Sequence, residues 1–522
     1  MENRTGKEYW DWVTDYWTVR GNPLDFIDHK YLVQKYKDQS KIIITQKSGQ
    51  AGETELNLSE ACWLPDQFKE NSLYLMPTSG NVNDIVQERV DEPINNSRYL
   101  SSVTGRAGKI MGKQADKTGL KRFNKGFIYF RGSNKPTQIT SVPADAIYVD
   151  ELDRMEPRYV PYFTKRLGHS KRKWERWFST PTVPNFGINE RFLKTDQLNW
   201  YVKCYHCGVH QIMDFWENIE FTMKGEDVDK SRIFCKKCKK DFLPYKCDGK
   251  WIPHNKDASI RGYFINQLYS PHFDLNAAII ESQTTAEYKV MQFYNQTLGL
   301  PYEPKGSKIT EEILSACIRD YIIPLTAEDI AMGVDVGKNL HVITRDKNRI
   351  LDIQELKYFT IAESNEKAGR QEDSIEYWIR AKNPKKVIVD ALPETRAVQS
   401  LINMFPGRIY MCYYSGMNEV KEGEAWYKVD GYKVNTDRTM SLDESLGEIY
   451  KQRIQLPRNL SDYSVFKSHF KNLVRIIVEN NKGDKKAEYQ RLGDDHYAHA
   501  NNYAKMAADM LTRIVESEIF TI

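Results

Sequence analysis

Up to about residue 190 the chain alternates short apolar runs, rich in β-branched and aromatic residues (KIIITQ, NSLYLMP, GFIYFRG, DAIYVDE and KWERWFST), with polar stretches of helical character. Strands spaced so far apart do not pair through tight turns. Each returns by a crossover, which commits this part of the chain to a βα-wound parallel sheet. Residues near 200 to 250 change character, becoming lysine- and cysteine-rich with little apolar periodicity. From about Ala331 a second αβ pattern begins. Here DIAMGVDVG, LHVITRD and ILDIQELKYF read as successive strands joined by tight turns, and KKVIVDALPE as a later buried strand. The closing DDHYAHANNYAKMAADMLTRIVES reads as an amphipathic helix. No internal repeat or low-complexity segment occurs, and 522 residues are expected to divide into two or three domains.

The first segment with chemistry in it is IITQKSGQAGETEL, Ile43 to Leu56: a buried strand entering a loop and then a helix, the place for a phosphate-binding loop. Against the pattern G-x-x-x-x-G-K-[S/T], with Gly52 and Thr54 aligned on its end, Glu53 stands at the lysine position and Lys47 at the first glycine. Lys47 can do the missing lysine's work, because a long flexible cation at the start of the loop reaches the same β/γ-phosphate oxygens. Gly49 and Gly52 are expected to leave backbone N–H groups free to approach phosphate, and Thr54 to open the helix with its hydroxyl available to Mg²⁺. Glu53 has no phosphate role on this reading, and SGQAG by itself is also a plain turn.

A partner segment strengthens the phosphate-loop reading without removing the other. In SVPADAIYVDELDRM, Ala146 to Val149 form a buried strand ending in Asp150 and Glu151. The first acid is placed to hold Mg²⁺ through water and the second to polarise the water that attacks a γ-phosphate. Ser179, Thr180 and Pro181 end the next strand, where a γ-phosphate could be sensed, although Ser-Thr-Pro is also an ordinary strand stop.

Eight cysteines are too few for a disulfide scaffold in a chain this long, and four of them form the pairs Cys204-x-x-Cys207 and Cys235-x-x-Cys238. Two such knuckles close a tetrahedral S₄ site suited to structural Zn²⁺, with no position left open for catalysis. His206 and His210 read as exposed loop histidines rather than substitute ligands, and Cys62, Cys247, Cys317 and Cys412 as buried or incidental thiols. Lys236, Lys237, Lys239 and Lys240, with Lys165, Arg166, Lys171, Arg172, Lys173 and Arg176, form either a phosphate-contacting surface or a solvated charged face. With 75 basic and 71 acidic residues the net charge is +4, so attraction to nucleic acid must come from local patches. No apolar run approaches a membrane span, and MENRTGKEYWDWVTDYW lacks the build of a signal peptide; a soluble, intracellular protein is expected.

In the last third, acids stand at matching points: Asp335 within the strand MGVDVG, Asp390 at the end of VIVD, and Asp494 and Asp495 at the start of the closing helix. Strand, strand and helix acids converging on one sheet edge are what a two-metal nuclease of the RNase H type requires. His499 and Asn502 follow Asp495 at i+4 and i+7 and share its helix face, which would set them beside the metals; a satisfied helix histidine is the favoured reading of His499.

Taken together these residues resemble the large subunit of tailed-phage terminases, the DNA-packaging motor, in the branch that carries a C-x-x-C…C-x-x-C module between motor and nuclease. In that family the loop lysine often stands at the start of the motif, and KSGQAGETE fits its K-S-x-Q-x-G-x-T form at Lys47, Ser48, Gln50, Gly52 and Thr54. Also matching, in the family's order and across most of the chain, are MPTSGNVNDIVQERV, YVDELDRM, YVKCYHCG, GKWIPHN with GYFINQLYSP, GVDVG, and YKVNTDRT followed by RIQLP. The resemblance implies an α/β fold class: a P-loop (ASCE-type) ATPase domain over 1–198, a small zinc-ribbon-like module over 199–255, a helical linker region over 256–328 and an RNase H-like nuclease domain over 329–522.

It further implies ATP hydrolysis that drives double-stranded DNA into a procapsid. Lys47, Ser48, Gly49, Gln50, Gly52, Thr54 and Asp150 would bind nucleotide and Mg²⁺, and Glu151 would activate water. Concatemeric DNA would be cut with Asp335, Asp390 and Asp494 or Asp495, using Mg²⁺ or Mn²⁺, while Cys204, Cys207, Cys235 and Cys238 hold Zn²⁺. Implied partners are double-stranded DNA, the portal protein and a small terminase subunit. The expected assembly is a homo-oligomeric ring when packaging or a monomer when isolated, in the host cytoplasm and transiently docked on the procapsid. One departure stands out. Some members place an arginine finger shortly before the Walker B glutamate, where this chain has Thr140 in PTQITSVP; Arg89, Arg106 and Arg131 are the replacements to weigh.

Two rivals differ in kind. A repair helicase fused to a nuclease would need a second motor-like domain, and no further strand–loop–helix nucleotide motif lies between Cys238 and Ala331. A DNA-binding zinc scaffold with an inactive P-loop would bind DNA and never turn over ATP.

Overall fold

The computed structural model describes residues 7–104, 116–133, 135–139, 142–284, 287–303, 306–415, 426–479 and 485–519. They fall into two compact units that divide after Glu303.

In the first unit the expected apolar runs are the strands β1 (Ile42–Lys47), β2 (Ser72–Met76), β3 (Phe127–Gly132), β4 (Ala146–Asp150) and β5 (Trp174–Ser179). Among the strands that join them in an eleven-stranded sheet are β6 (Leu198–Lys203), β7 (Gly249–Pro253) and β8 (Arg261–Ile265). The order β6-β8-β1-β5-β4-β2-β3 is parallel throughout, with β7 antiparallel on the outside of β6. β2 and β4 are buried at every position, which is why they read as unbroken apolar runs.

β8 falls in the segment read as a helical linker. Only Tyr263, Phe264 and Ile265 mark it as apolar, too short a run to show a period, and its identity as a strand comes from pairing with β1. The sheet that carries β1 therefore continues past residue 198. β5 stands between β1 and β4, so the loop after β1, Thr180 after β5 and the Asp150–Glu151 pair at the end of β4 meet at one sheet edge. The helix α1 (Glu53–Gln67) leaves the loop through Gly52, whose φ is +79°. A Cβ there would also stand 2.9 Å from Leu32 Cδ1, so the turn takes glycine on both counts.

In the second unit β9 (Ala331–Val336), β10 (Leu340–Arg345), β11 (Ile350–Leu356), β12 (Lys386–Asp390), β13 (Ile409–Tyr414), β14 (Tyr427–Asp430) and β15 (Lys433–Thr436) form a sheet of order β11-β10-β9-β12-β13-β15-β14. The antiparallel meander β11-β10-β9 continues into the parallel run β9-β12-β13-β15, an RNase H-like arrangement. Helices α2 (Arg438–Tyr450) and α3 (His496–Ile519) complete the part that matters here. At Gly333 a Cβ would lie 2.1 Å from the Ala500 carbonyl oxygen and 2.2 Å from the Ala504 nitrogen; α3 therefore lies directly on β9, its first turn beside the strand's end. Among the described residues no helix is long and apolar enough to cross a membrane.

Candidate active sites

Lys47 ends β1 and is buried, with its Nζ 2.9 Å from Glu151 Oε1. Glu151, just past β4, has φ 55° and ψ 50°, a left-handed conformation costing a non-glycine residue on the order of 1 kcal/mol or more. Thr180 Oγ1 donates to its other carboxylate oxygen at 3.3 Å. Burial alone would raise the Glu151 pKa, but Lys47, and then Arg154, hold it below the usual carboxylate range, so the group is an ionised base clamped by a cation. Asp150 accepts from Tyr74 (2.8 Å) and Thr54 (3.3 Å) on Oδ2. Its Oδ1 is buried without a partner, as is Ser48 Oγ. Burial and the adjacent Glu151 charge push Asp150 up to about 7, against the opposing pull of Lys47. With the Thr54 hydroxyl it offers the hard oxygen donors that suit Mg²⁺.

Several loop residues do something other than expected. The Gly49 N–H is not free: it donates to the Gln296 carbonyl at 2.7 Å, and the Ser48 N–H donates to the Ile265 carbonyl at 2.9 Å. Phe293–Thr297, a turn of π-helix distant in sequence, lies on the loop, and the Gln296 side chain also donates to Thr180 Oγ1 at 3.4 Å. Glu53 forms a buried ion pair with Lys35, whose ammonium sits 4.7 Å from the centre of the Tyr263 ring, anchoring the first turn of α1 away from the phosphate side.

The basic surface also shrinks. Arg172 pairs with Glu70, and Arg176 with Glu60 at 2.8 Å, both guanidiniums buried against Trp174. WERWF is covered on both faces, so its one cation, Arg176, must find a carboxylate inside the fold. Lys236 pairs with Glu217 and Lys239 lies over the Phe234 ring. Arg131 donates to the carbonyls of Gly119 and Phe130, while Arg89 is exposed; Arg106 and Thr140 lie outside the described residues.

The four paired cysteines converge. Cys204 Sγ lies 3.9 Å from Cys238 Sγ and Cys207 Sγ 3.7 Å from Cys235 Sγ, with all four sulfurs within 4.8 Å of one another. Tetrahedral Zn–S bonds of about 2.3 Å put sulfurs about 3.8 Å apart, so the spacing fits zinc. His206 hydrogen-bonds the Asp241 carbonyl oxygen at 2.9 Å and His210 is exposed; neither belongs to the cluster.

In the second unit Val334 pairs with Val389, so the next residues, Asp335 and Asp390, stand side by side on neighbouring parallel strands. Burial, and then the Asp335 charge, push Asp390 up to about 7. Asp494 is turned to solvent and pairs with Arg491 at 3.1 Å. Asp495 is buried between the guanidiniums of Arg491 at 3.3 Å and Arg438 at 3.5 Å, with the His499 imidazole at 3.3 Å. Burial would raise its pKa, yet His499 and the two arginines hold it at about 2.

The hydrogen bonds of His499 and Asn502 go elsewhere than to Asp335 and Asp390. His499 Nδ1 lies 2.7 Å from the Tyr414 hydroxyl, and Asn502 donates to Tyr414 Oη and Ser441 Oγ; they fasten α3 to β13 and α2. The residue that does meet Asp335 is His496, its Nδ1 2.7 Å from Asp335 Oδ2, with the His341 ring stacked on it at 4.6 Å. Neither stood out in the sequence. His341 lies directly across the β9–β10 hairpin from Asp335, so counting the register through its tight turn would have found it.

Two family models match the chain. The one described as "Phage terminase large subunit gpA, ATPase domain" takes in residues 32–244, and "Terminase large subunit gpA, endonuclease domain" takes in 260–345, together more than half of the sequence. The chain belongs to the phage terminase large subunits. Solved terminase structures are similar to it at a distance. The large terminase from a thermophilic bacteriophage, in complex with ADP, is 12% identical, covering 94% of this chain and 100% of that one at a TM-score of 0.32. The ATPase domain of the Thermus phage P74-26 large terminase is 11% identical (54% and 95% covered, TM-score 0.32). The large terminase nuclease of thermophilic phage G20c with bound magnesium is 11% identical (39% and 98% covered, TM-score 0.25). At that level of likeness they assign no residue here. No curated protein sequence matches the terminase. As a terminase large subunit the protein is an ATPase and an endonuclease that packages DNA and cuts it; neither the repair helicase nor the inactive scaffold is favoured.

Proposed function

We propose that this terminase hydrolyses ATP at the β1–β5–β4 edge to drive double-stranded DNA into a procapsid, and cuts concatemeric DNA at the β9–β12 edge. The observation that carries the motor assignment is the Lys47–Glu151–Thr180 contact beside the partnerless oxygen of Asp150. Ser48, Gly49, Gln50 and Gly52 shape the loop, Lys47 turns from Glu151 to the phosphates, and Thr54 and Asp150 would hold Mg²⁺. Glu151, released by Lys47, accepts the proton of the attacking water while Thr180 keeps its second oxygen in place. Asp335 and Asp390, with Asp495 held between Arg438 and Arg491, are the nuclease carboxylates; Mg²⁺ or Mn²⁺ bound there would supply Lewis acidity for phosphodiester hydrolysis. The terminase works as a homo-oligomeric ring on the portal protein with a small subunit, in the host cytoplasm. ATP turnover and plasmid cleavage recorded in the same tubes with Mg²⁺ or Mn²⁺ test this reading; a chain that binds DNA but performs neither reaction would sink it.

Zinc at Cys204, Cys207, Cys235 and Cys238 is structural on this reading, since four thiolates leave no open position. One equivalent of zinc per chain is expected by atomic absorption. Cys235→Ser should lose it and lower the melting temperature of the first unit, because Cys204 and Cys235 sit in the same apolar cluster as β6 and β7. Full zinc retention in the variant would remove the site.

A further inference from the structure

We infer that Asp335, His341 and His496 form a mixed carboxylate–imidazole site that takes a first-row transition-metal ion in preference to Mg²⁺. This rests on the nuclease reading above and specifies the ligand chemistry of one of its metal positions.

Three features of the unit support the site. The ligand atoms of the three residues all lie within 4.8 Å of one another, on three different elements: β9, β10 and the first turn of α3. An ion about 2.1 Å from two donors at a right angle spaces them about 3 Å apart, so the 2.7 Å His496–Asp335 contact opens only slightly to admit one. His341 is buried, 7% exposed, and its Nδ1 has no hydrogen-bond partner, an unmet acceptor or donor that a bound ion would satisfy.

The surroundings hold the rings in place. At Gly337 a Cβ would come within 3.2 Å of His496 Cε1 and 3.6 Å of its Nδ1, so the absent side chain leaves the space the imidazole occupies. The His341 and His496 planes lie within 12° of each other. His469 borders both rings, at 5.4 and 5.6 Å, but its Nδ1 accepts the Tyr497 N–H at 3.2 Å, which makes it a wall rather than a ligand. Mg²⁺ is served by oxygen and water, whereas imidazole nitrogen shifts preference toward transition ions. Selectivity is therefore the property these histidines set.

Mn²⁺ is the probe, because it is detected by electron paramagnetic resonance and does not displace thiolate-bound zinc. In the zinc-loaded full chain, bound Mn²⁺ should show electron-spin-echo modulation from directly coordinated ¹⁴N. The ratio of Mg²⁺ to Mn²⁺ dissociation constants should fall at least tenfold in His341→Asn and His496→Asn, mainly through weaker Mn²⁺ binding. A purely structural role for the histidines would weaken both ions alike and overturn the inference. Mn²⁺ bound without ¹⁴N modulation in the wild type also overturns it, without recourse to any variant; if that protein still cuts DNA in an Asp390-dependent way, the nuclease reading survives alone. Absence of both Mn²⁺ binding and cleavage would remove the two together.

Discussion

Glu151→Gln is expected to lower DNA-stimulated ATP turnover by about 10³-fold, within the span general-base removal produces, while nucleotide still binds. Glutamine keeps the size of the side chain and can still accept from Thr180, but it cannot take a proton from water. The left-handed backbone at position 151 is already set by the turn after β4, so the substitution adds no new strain. Lys47 loses its anionic partner and stays beside the loop, where phosphate becomes its best remaining counter-charge. Binding of a fluorescent ATP analogue should therefore hold or tighten as phosphate release collapses. Turnover within threefold of wild type would show that Glu151 is not the base. Loss of analogue binding would show instead that the Lys47–Glu151 contact maintains the loop rather than poising it.

What the sequence made legible follows from how each element is stabilised. Strands buried on both faces, such as Tyr74 and Leu75 in β2 or Ile147 and Val149 in β4, announce themselves as apolar runs. The two acids at the end of β4 were readable for the same reason, since a strand end fixes where its last residue and the next one stand. Pairing partners chosen across long sequence distances were not. The Gln296 carbonyl that occupies the Gly49 N–H, the strand β8 that flanks β1, and Lys35 against Glu53 all depend on tertiary packing that no local period encodes. Arg172 and Arg176 misled for a related reason: guanidiniums read as surface charge were balanced inside by Glu70 and Glu60. In the nuclease, Asp335 and Asp390 were legible as acids at strand positions, and the favoured reading of His499 as a satisfied helix histidine agrees with its contacts to Tyr414 and Asp495, whereas i+4 and i+7 spacing alone pointed it and Asn502 towards the metals. Helix geometry says which residues share a face and nothing about what that face meets.

Asp390→Asn is expected to cut plasmid cleavage by at least about 10³-fold, since a ligand carboxylate contributes several kcal/mol of charge stabilisation and about 4 kcal/mol corresponds to that factor. ATP turnover in the same samples should be unchanged, because the residue belongs to the other compact unit. The metal-free protein gives an independent sign. Asp390 stands beside Asp335, and burial with that like charge raises it to about 7, far above its unfolded value. A carboxyl raised on folding is compatible with the native state while protonated, so its cost is absent below about pH 4 and grows as pH rises towards 7. Asparagine carries no such cost. With chelator present, the variant's second unit should therefore melt at a higher temperature than wild type at pH 7 and at the same temperature near pH 4. Lost cleavage with that stability pattern identifies a charge kept for metal binding at the expense of the fold. Lost cleavage with a lower melting temperature at both pH values would mean that Asp390 holds β12 together and that the metal is bound elsewhere.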